Sequence, residues 1–199
     1  MVGLKYFADY NYYKILYASS YVDFPIFDPY DKSHFLNRCI IPGANGPIGL
    51  SVPLHGGRNQ KSILKEVRID NGENWQKRHY RSMLATYNAS PWFKYYSDSL
   101  SVLFQKRFTF LIDWNLECFA WTVAKLKLQV RFKVVDTPAA GNIQPPLKRP
   151  KTAQDLPGVP RYRQLFEEKT GFIPGVSILD MLFCEGQSQV LASLASDNR

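Results

Sequence analysis

Histidine is scarce in this chain of 199 residues, and His34, His55 and His79 are too isolated to pair at metal-binding spacing. Cysteine is equally scarce. Cys39, Cys118 and Cys184 are odd in number and outside any Cys-x-x-Cys spacing, which argues against a disulfide framework and a zinc site. No stretch approaches the roughly 18 consecutive apolar residues of a membrane span, and the N-terminus lacks the basic patch and apolar run of a secretory leader. The expected location is a reducing cytoplasm. Also missing are a Gly-x-Gly-x-x-Gly turn, a Walker loop and a Gly-x-Ser-x-Gly elbow, so dinucleotide, P-loop and hydrolase chemistries lose their usual support. The sequence points to no particular cofactor.

Apolar residues make up 45% of the chain, enough for one sizeable core, and residues 1–199 are read as a single domain. Lys and Arg number 25 against 17 Asp and Glu, and the net charge of +8 favours anionic partners such as nucleotides, nucleotide sugars, RNA or lipid headgroups. The competing reading is solubility alone, because the basic residues are spread along the chain. Single-stranded nucleic acid would suit cations beside aromatic faces, but the aromatics fall on core-facing periods, so a nucleic-acid partner is not expected.

Several segments carry clear periodicity. Tyr6, Tyr10, Tyr13 and Tyr17 fall on one helical face, and Val22, Phe24 and Ile26 alternate as a strand does before Asp28 and Pro29. Residues 38–41 and 48–54 flank a loop with Asn45-Gly46, whose positive φ preference predicts a hairpin. Residues 63–69 are a third strand candidate. Two helices follow, over 73–88 with Tyr80, Met83, Leu84 and Tyr87 as the apolar stripe, and from Ser90 and Pro91 with Phe93, Tyr96, Leu100, Leu103 and Phe104 facing inward. Asp113 is placed to cap a third helix whose Leu116, Phe119, Ala120 and Val123 face the core. Residues 126–134 alternate as a strand with one wet face.

Residues 136–160 hold six prolines and little that could be buried, which predicts a mobile loop. Beyond it, 161–169 reads as a helix stopped by Gly171, and Ser177 with Asp180 has capping-box-like spacing before Met181, Leu182 and Phe183. These elements predict an α/β or α+β fold: a small mixed sheet with a hairpin, packed by helices mostly in the middle and C-terminal parts.

Two clusters carry candidate chemistry. The first is Tyr30, Asp31 and Lys32 with Asn37 and Arg38, at a turn and the mouth of the hairpin. Arg offers a planar fork to phosphate or carboxylate, Lys adds a point charge and Asn can orient a hydroxyl. Alternatively, Arg38 and Asn37 tie the turn together through backbone carbonyls. The second cluster is Trp75, Arg78, His79, Ser82 and Thr86 on the long helix, where His79 is placed at the edge between core and solvent. Such a position suits proton transfer near neutral pH, and a half-buried histidine with a structural partner is the competing reading.

At these clusters the sequence resembles the WbqC-like protein family of bacteria, in a branch common among Bacteroidetes. The matching stretches include Pro-Tyr-Asp-Lys-Ser-His-Phe-Leu-Asn-Arg-Cys from Pro29, Pro-Gly-Ala-Asn-Gly-Pro from Pro42 and Val-Arg-Ile-Asp-Asn at 67. Further matches are Asn-Trp-Gln-x-x-His-Tyr at 74, Ala-Thr-Tyr-Asn-Ala-Ser-Pro-Trp-Phe at 85, Leu-Ile-Asp-Trp-Asn at 111 and the block from Gly171 to Phe183. The chain departs from the family pattern at Phe7, Ala8, Asp9 and Tyr10, where a Leu-Pro or Gln-Pro step is usual. The resemblance implies a setting in O-antigen and other surface-polysaccharide gene clusters, and transfer of a group during sugar modification or assembly. It marks Tyr30, Lys32, Asn37, Arg38, Trp75, His79, Tyr87 and Pro91. The leading expectation is an acyl, aminoacyl or glycosyl transferase, with Arg38 and Lys32 on a phosphate or carboxylate, His79 as general base, Asn37 and Tyr30 orienting the acceptor, and Trp75 lining the site. Its expected partner is an anionic small molecule such as a nucleotide sugar or an activated acyl donor. The rival is a non-catalytic binding module for a nucleotide sugar, a lipid-linked glycan or a partner enzyme.

Overall fold

A computed structural model of the protein describes residues 3–19, 21–57, 59–136 and 158–196. The loop expected at 136–160 falls almost wholly on 137–157, outside the described residues. The elements run α1 Tyr10–Ala18, β1 Tyr21–Pro25, β2 Arg38–Ile41, β3 Ile48–Ser51, α2 Trp75–Tyr87, α3 Phe93–Gln105, α4 Leu111–Leu126, β4 Arg131–Val135, α5 Glu167–Thr170, α6 Ile178–Glu185 and α7 Gln187–Ser196. The fold is mixed α and β, with helices concentrated in the middle and C-terminal parts, as the sequence pattern predicts.

The strands form two separate pairs. β2 and β3 make the expected antiparallel hairpin, with Arg38 opposite Ser51 and Ile41 opposite Ile48. Its loop turns at Gly46, where φ is 112°, a conformation that a side chain resists. β1 and β4 pair in parallel, Tyr21 with Arg131 through Pro25 with Val135, and Phe24 is wedged against Phe119 and Phe132. The late strand is therefore shorter than the alternation over 126–134 implies. α4 runs on to Leu126 and stops where Lys127 turns left-handed at φ 54°.

Residues 63–69 do not make a third strand. Leu64–Glu66 is a short 3₁₀ turn, and Ile63, Arg68 and Ile69 each close only an isolated bridge, to Pro29, Phe110 and Leu54. The turn withdraws these backbone groups from continuous pairing. At the other end, the helix expected over 161–169 shrinks to α5, ended by Gly171 at φ 69°.

Helix faces are also re-phased by what they meet. α1 begins at Tyr10, capped by Asp9, whose carboxylate accepts from the Tyr12 N–H, so Tyr6 lies ahead of the helix and Tyr17 is left exposed. On α2 the buried side chains are Trp75, His79, Met83, Thr86 and Tyr87, while Leu84 faces solvent. On α4 they are Leu111, Trp114, Asn115, Cys118, Phe119, Thr122 and Leu126; Asp113 sits in the first turn without capping, and Ala120 is exposed. On α3 the five expected apolar positions are all buried. Pro91 lies in the turn before α3, and Ser90 Oγ donates to the Tyr87 carbonyl, closing the α2–α3 connection.

Aromatic contacts join these faces. Trp114 touches Tyr6 at 5.5 Å, Trp75 at 5.2 Å and Phe104 at 5.3 Å between ring centres. Phe183 of α6 meets Tyr87, Phe93 and Tyr96 in the same way. α6 is fastened to the hairpin by the Ser177 N–H, which donates to the Ile40 carbonyl at 2.7 Å. Among the described residues no helix is long and apolar enough to cross a membrane.

Candidate functional site

The strand register places Arg38 across from Ser51, and this pair organises the first site. Asn37 precedes Arg38; its amide donates to the Val52 carbonyl at 2.8 Å and its oxygen accepts from the Tyr30 hydroxyl at 3.3 Å. The Val52 N–H returns to the Asn37 carbonyl. Tyr30 and Asn37 are both buried, and their bonds tie the turn to the hairpin.

His79 reaches the same strand from α2. Its Nδ1 lies 3.0 Å from the Tyr6 hydroxyl, and the Ser51 backbone carbonyl acts on the ring as an acceptor. A carbonyl only accepts, so the nitrogen facing Ser51 carries the proton and Nδ1 accepts from Tyr6. Burial, above all, and the neighbouring Arg78 charge push the imidazole down to about 4, and the Ser51 carbonyl offsets this only in part. Burial also raises the Tyr6 phenol well above its ordinary range, which keeps it a donor.

The edge position expected for His79 is therefore corrected: it is 6% exposed, beneath the hairpin. The physical reason is the phase of α2, which turns Trp75 and His79 onto Tyr6 and Trp114 and leaves Leu84 outside. Trp75 is fully buried, 5.2 Å from the His79 ring, with its indole N–H on the Asn71 oxygen at 3.2 Å.

Asn37, Arg38 and His79 thus meet Ser51 and Val52, Tyr30 joins through Asn37, and Trp75 lies behind them against the His79 ring. Lys32 lies on the 3₁₀ turn Lys32–His34, where its ammonium donates to Asn59 Oδ1 at 2.8 Å. Between Lys32 and Arg38 stands Phe35, held left-handed at φ 53°, with the Arg38 guanidinium 5.3 Å from its ring centre. A bulky residue in that conformation stores strain on the order of 1–3 kcal/mol. Lys32 and Arg38 lie one backbone-bonded turn apart on either side of it, since the Phe35 N–H reaches the Lys32 carbonyl and the Arg38 N–H reaches the Phe35 carbonyl. The result is a ridge with two cations beside a buried polar joint.

A second site has no counterpart in the candidate residues above. Asp180 is fully buried in α6, yet its Oδ2 accepts from the Tyr162 hydroxyl at 2.6 Å and from Gln164 Nε2 at 2.9 Å. Burial raises its carboxyl to about 6, although Tyr162, Tyr87 and Gln164 all favour the charged form. The Tyr87 hydroxyl acts on this carboxylate, but neither it nor Oδ1 closes a hydrogen bond of ordinary geometry. The capping-box spacing is thus only half real. Ser177 caps α6 by accepting from the Leu179 N–H, whereas Asp180 turns into the core. An acidic residue inside the apolar run from Ile178 to Phe183 was the available signal.

Tyr162 and Gln164 also line an open cleft of about 950 Å³, walled by Pro91, Arg161, Arg163, Cys184 and Glu185 among others. Burial lifts the Cys184 thiol, so it is no ready nucleophile. Among the described residues, no group of three or more His, Cys, Asp or Glu side chains is placed to hold a metal ion.

The description of the WbqC-like protein family matches residues 6–144, which includes the whole ridge and the His79 joint but not Asp180. No curated protein and no solved structure matches.

Proposed function

Since the chain belongs to the WbqC-like protein family, we propose that it is a group transferase of bacterial surface-polysaccharide (O-antigen type) biosynthesis. It would move an acyl, aminoacyl or glycosyl group from an anionic, phosphate-bearing donor. The observation that carries this reading is the Lys32–Arg38 ridge. A strained Phe35 separates two cations there, and strain of that kind is retained where surrounding structure enforces it for function. Arg38 supplies a planar fork for a phosphate, and Lys32 adds charge at the exposed end. Proximity and charge stabilisation are the contributions that this ridge offers a transfer step.

His79 has a different part in this scheme from that of an exposed base. It acts through the Ser51 strand, which it holds against Arg38, and is a positioning residue unless Tyr6 moves away. That occupancy favours a second reading, a binding module for a nucleotide sugar, a lipid-linked glycan or a partner enzyme, with no proton transfer.

Thermal shift with nucleotide sugars, acyl-CoA and aminoacyl donors tests the ridge. One donor class should stabilise the fold, by on the order of 2.7 kcal/mol at a hundred times Kd. Arg38→Ala should abolish the shift without changing the melting temperature of the free protein. No shift with any donor, or an equal shift in Arg38→Ala, overturns the assignment. Turnover that survives in His79→Gln with a normal Kd removes His79 from the chemistry. Ligand binding without any turnover in the parent chain supports the binding module.

A further inference from the structure

We infer that the outer face of α3 is a homodimer interface, on which a second copy of this chain docks antiparallel about a two-fold axis at the level of Ser97. The face stands out by its exposure. Tyr95 is 76% exposed and Val102 57%, the two most exposed large apolar side chains among the described residues, and Trp92 is 45% exposed. The Tyr95 N–H donates to the Trp92 carbonyl at 3.1 Å, so the helical turn already includes Trp92. Trp92, Tyr95, Ser99 and Val102 follow one another at spacings of three, four and three, which sets them within about 80° of one another on a helix of 3.6 residues per turn. Such a stripe is the seam along which one helix packs on another. The inner side of α3 is already occupied, since Phe93, Tyr96, Leu100, Leu103 and Phe104 are buried in the core.

The seam fits a copy of itself. Ser97 lies midway between Trp92 and Val102, and also midway between Tyr95 and Ser99. With the axis at that level, Trp92 meets the second copy's Val102, and Tyr95 meets the second copy's Ser99. Each pair sets a larger side chain against a smaller one, and the axis repeats it, as an isologous interface requires. Trp121 of α4 borders the Ser99 position, its indole N–H donating to Ser99 Oγ at 3.3 Å, so the incoming Tyr95 ring meets an aromatic wall. Both outer rings are held in place. The Trp92 indole rests on Gly186, where an added Cβ would come 2.7 Å from Cε2, and Tyr95 stands edge to face with Tyr96 at 4.9 Å between centres. Trp and Tyr are the side chains that most often dominate interface energy.

Charge selects the same partner and the same direction. Lys94 and Asp98 flank the seam on one side, both exposed, and neither has an ion-pair partner among the described residues. A two-fold axis perpendicular to both helices keeps this flank on one side in the two copies. Lys94 then lies about 3 Å along the helix from the second copy's Asp98, within reach of a lysine side chain, and the pair occurs twice. Parallel docking would instead set Tyr95 on Tyr95 and part the two flanks. The net charge of +8 opposes self-association, but at about 0.15 M salt it is screened beyond about 8 Å, which leaves the close pairs in force. A pair of 13-residue helices falls at the low end of interface sizes, below about 1,200 Å², so the dimer exchanges readily with monomer. The inference uses no ridge residue and stands without the transferase reading.

Sedimentation velocity of the full chain, from micromolar to near-millimolar concentration at physiological salt, tests the face. Monomer should pass to dimer and to no higher species, because a two-fold interface closes on itself. Tyr95→Ala should raise the dimer dissociation constant by about ten-fold or more, since the axis counts each lost contact twice. Lys94→Asp and Asp98→Lys should each weaken the dimer, and the variant carrying both should restore it, a rescue that requires the reciprocal antiparallel pair. All three side chains are exposed, so the melting temperature of the dilute protein should stay at the parent value in every variant. Arg38→Ala should leave the dimer unchanged, so this inference and the ridge assignment fail separately. A monomer at every concentration, a dimer indifferent to Tyr95→Ala, or single charge reversals that the double variant does not rescue overturns the inference. Monomeric protein that floats with phosphatidylglycerol vesicles, and loses them in Tyr95→Ala, assigns the face to a lipid surface and overturns it likewise.

Discussion

Asn37, a candidate site residue, is also a structural tie. Its amide and oxygen close bonds to Val52 and Tyr30 inside the protein, and only its neighbour Arg38 reaches toward solvent. Truncation should therefore separate the candidate residues by energy. Asn37→Ala removes two buried hydrogen bonds, to Val52 and from Tyr30, and should cost about 1–3 kcal/mol. Trp75→Ala empties part of the ring cluster and should cost about 3–5 kcal/mol. Lys32→Ala and Arg38→Ala remove exposed or half-exposed side chains and should stay within about 0.5 kcal/mol. Urea unfolding of the four variants checks the order. A large loss in Arg38→Ala would make it a structural tie, the reading that competes with anion binding.

Among the elements, the β2–β3 hairpin bears on the site most directly, because its register sets Arg38 over Ser51. Two of its glycines should respond with opposite signs. Gly46 sits at φ 112°, so Gly46→Ala forces a side chain into a disfavoured conformation and should destabilise by about 1 kcal/mol or more. Gly49 lies in β3 with no positive φ, and a Cβ there meets nothing within 4 Å. Gly49→Ala should stabilise by about 0.4–1 kcal/mol through the unfolded chain. Equal shifts of the two denaturation midpoints would show that the loop is not held as described. The hairpin was legible because Asn-Gly specifies its turn locally. Residues 63–69 were not, because a short apolar run fits a strand, a bridge or a 3₁₀ turn until its partners are known. α2 misled in phase alone: its sequence carries two apolar stripes, and the aromatic cluster of Tyr6 and Trp114 selected the one with Trp75 and His79.

At the scale of the whole molecule, two buried ionisable groups, His79 and Asp180, act on stability in opposite directions. His79 sits at about 4 when folded against 6.5 unperturbed, so the unfolded chain binds the extra proton, and stability falls as pH drops from about 6.5 to 4. Asp180 sits at about 6 against 3.8, so the folded chain binds the extra proton, and stability rises as pH drops from about 6 to 4. Each effect is on the order of 3 kcal/mol when complete, and between pH 4 and 6 they largely cancel. His79→Gln should leave a chain that grows more stable toward acid over that window. Asp180→Asn should leave one that grows less stable. Denaturant unfolding across the pH series measures both slopes, and parallel profiles in the parent and both variants would contradict the placement of these groups.

Local chemistry sufficed for the features that few residues decide: the hairpin turn, the inward stripe of α3, the Ser177 cap of α6 and the basic balance of the whole chain. The resemblance carried by short blocks was likewise readable in one dimension, and it marked Asn37, Arg38, Trp75 and His79 before any contact was known. Only the tertiary structure brought Asn37, Arg38 and His79 to Ser51 and Val52 with Trp75 behind the His79 ring, and only it buried His79 and Asp180. The reason is that the period of a helix sets which residues share a face, while the surface that face meets is assembled from distant segments. For His79 that surface is Tyr6 and Ser51, and for Asp180 it is Tyr162 and Gln164.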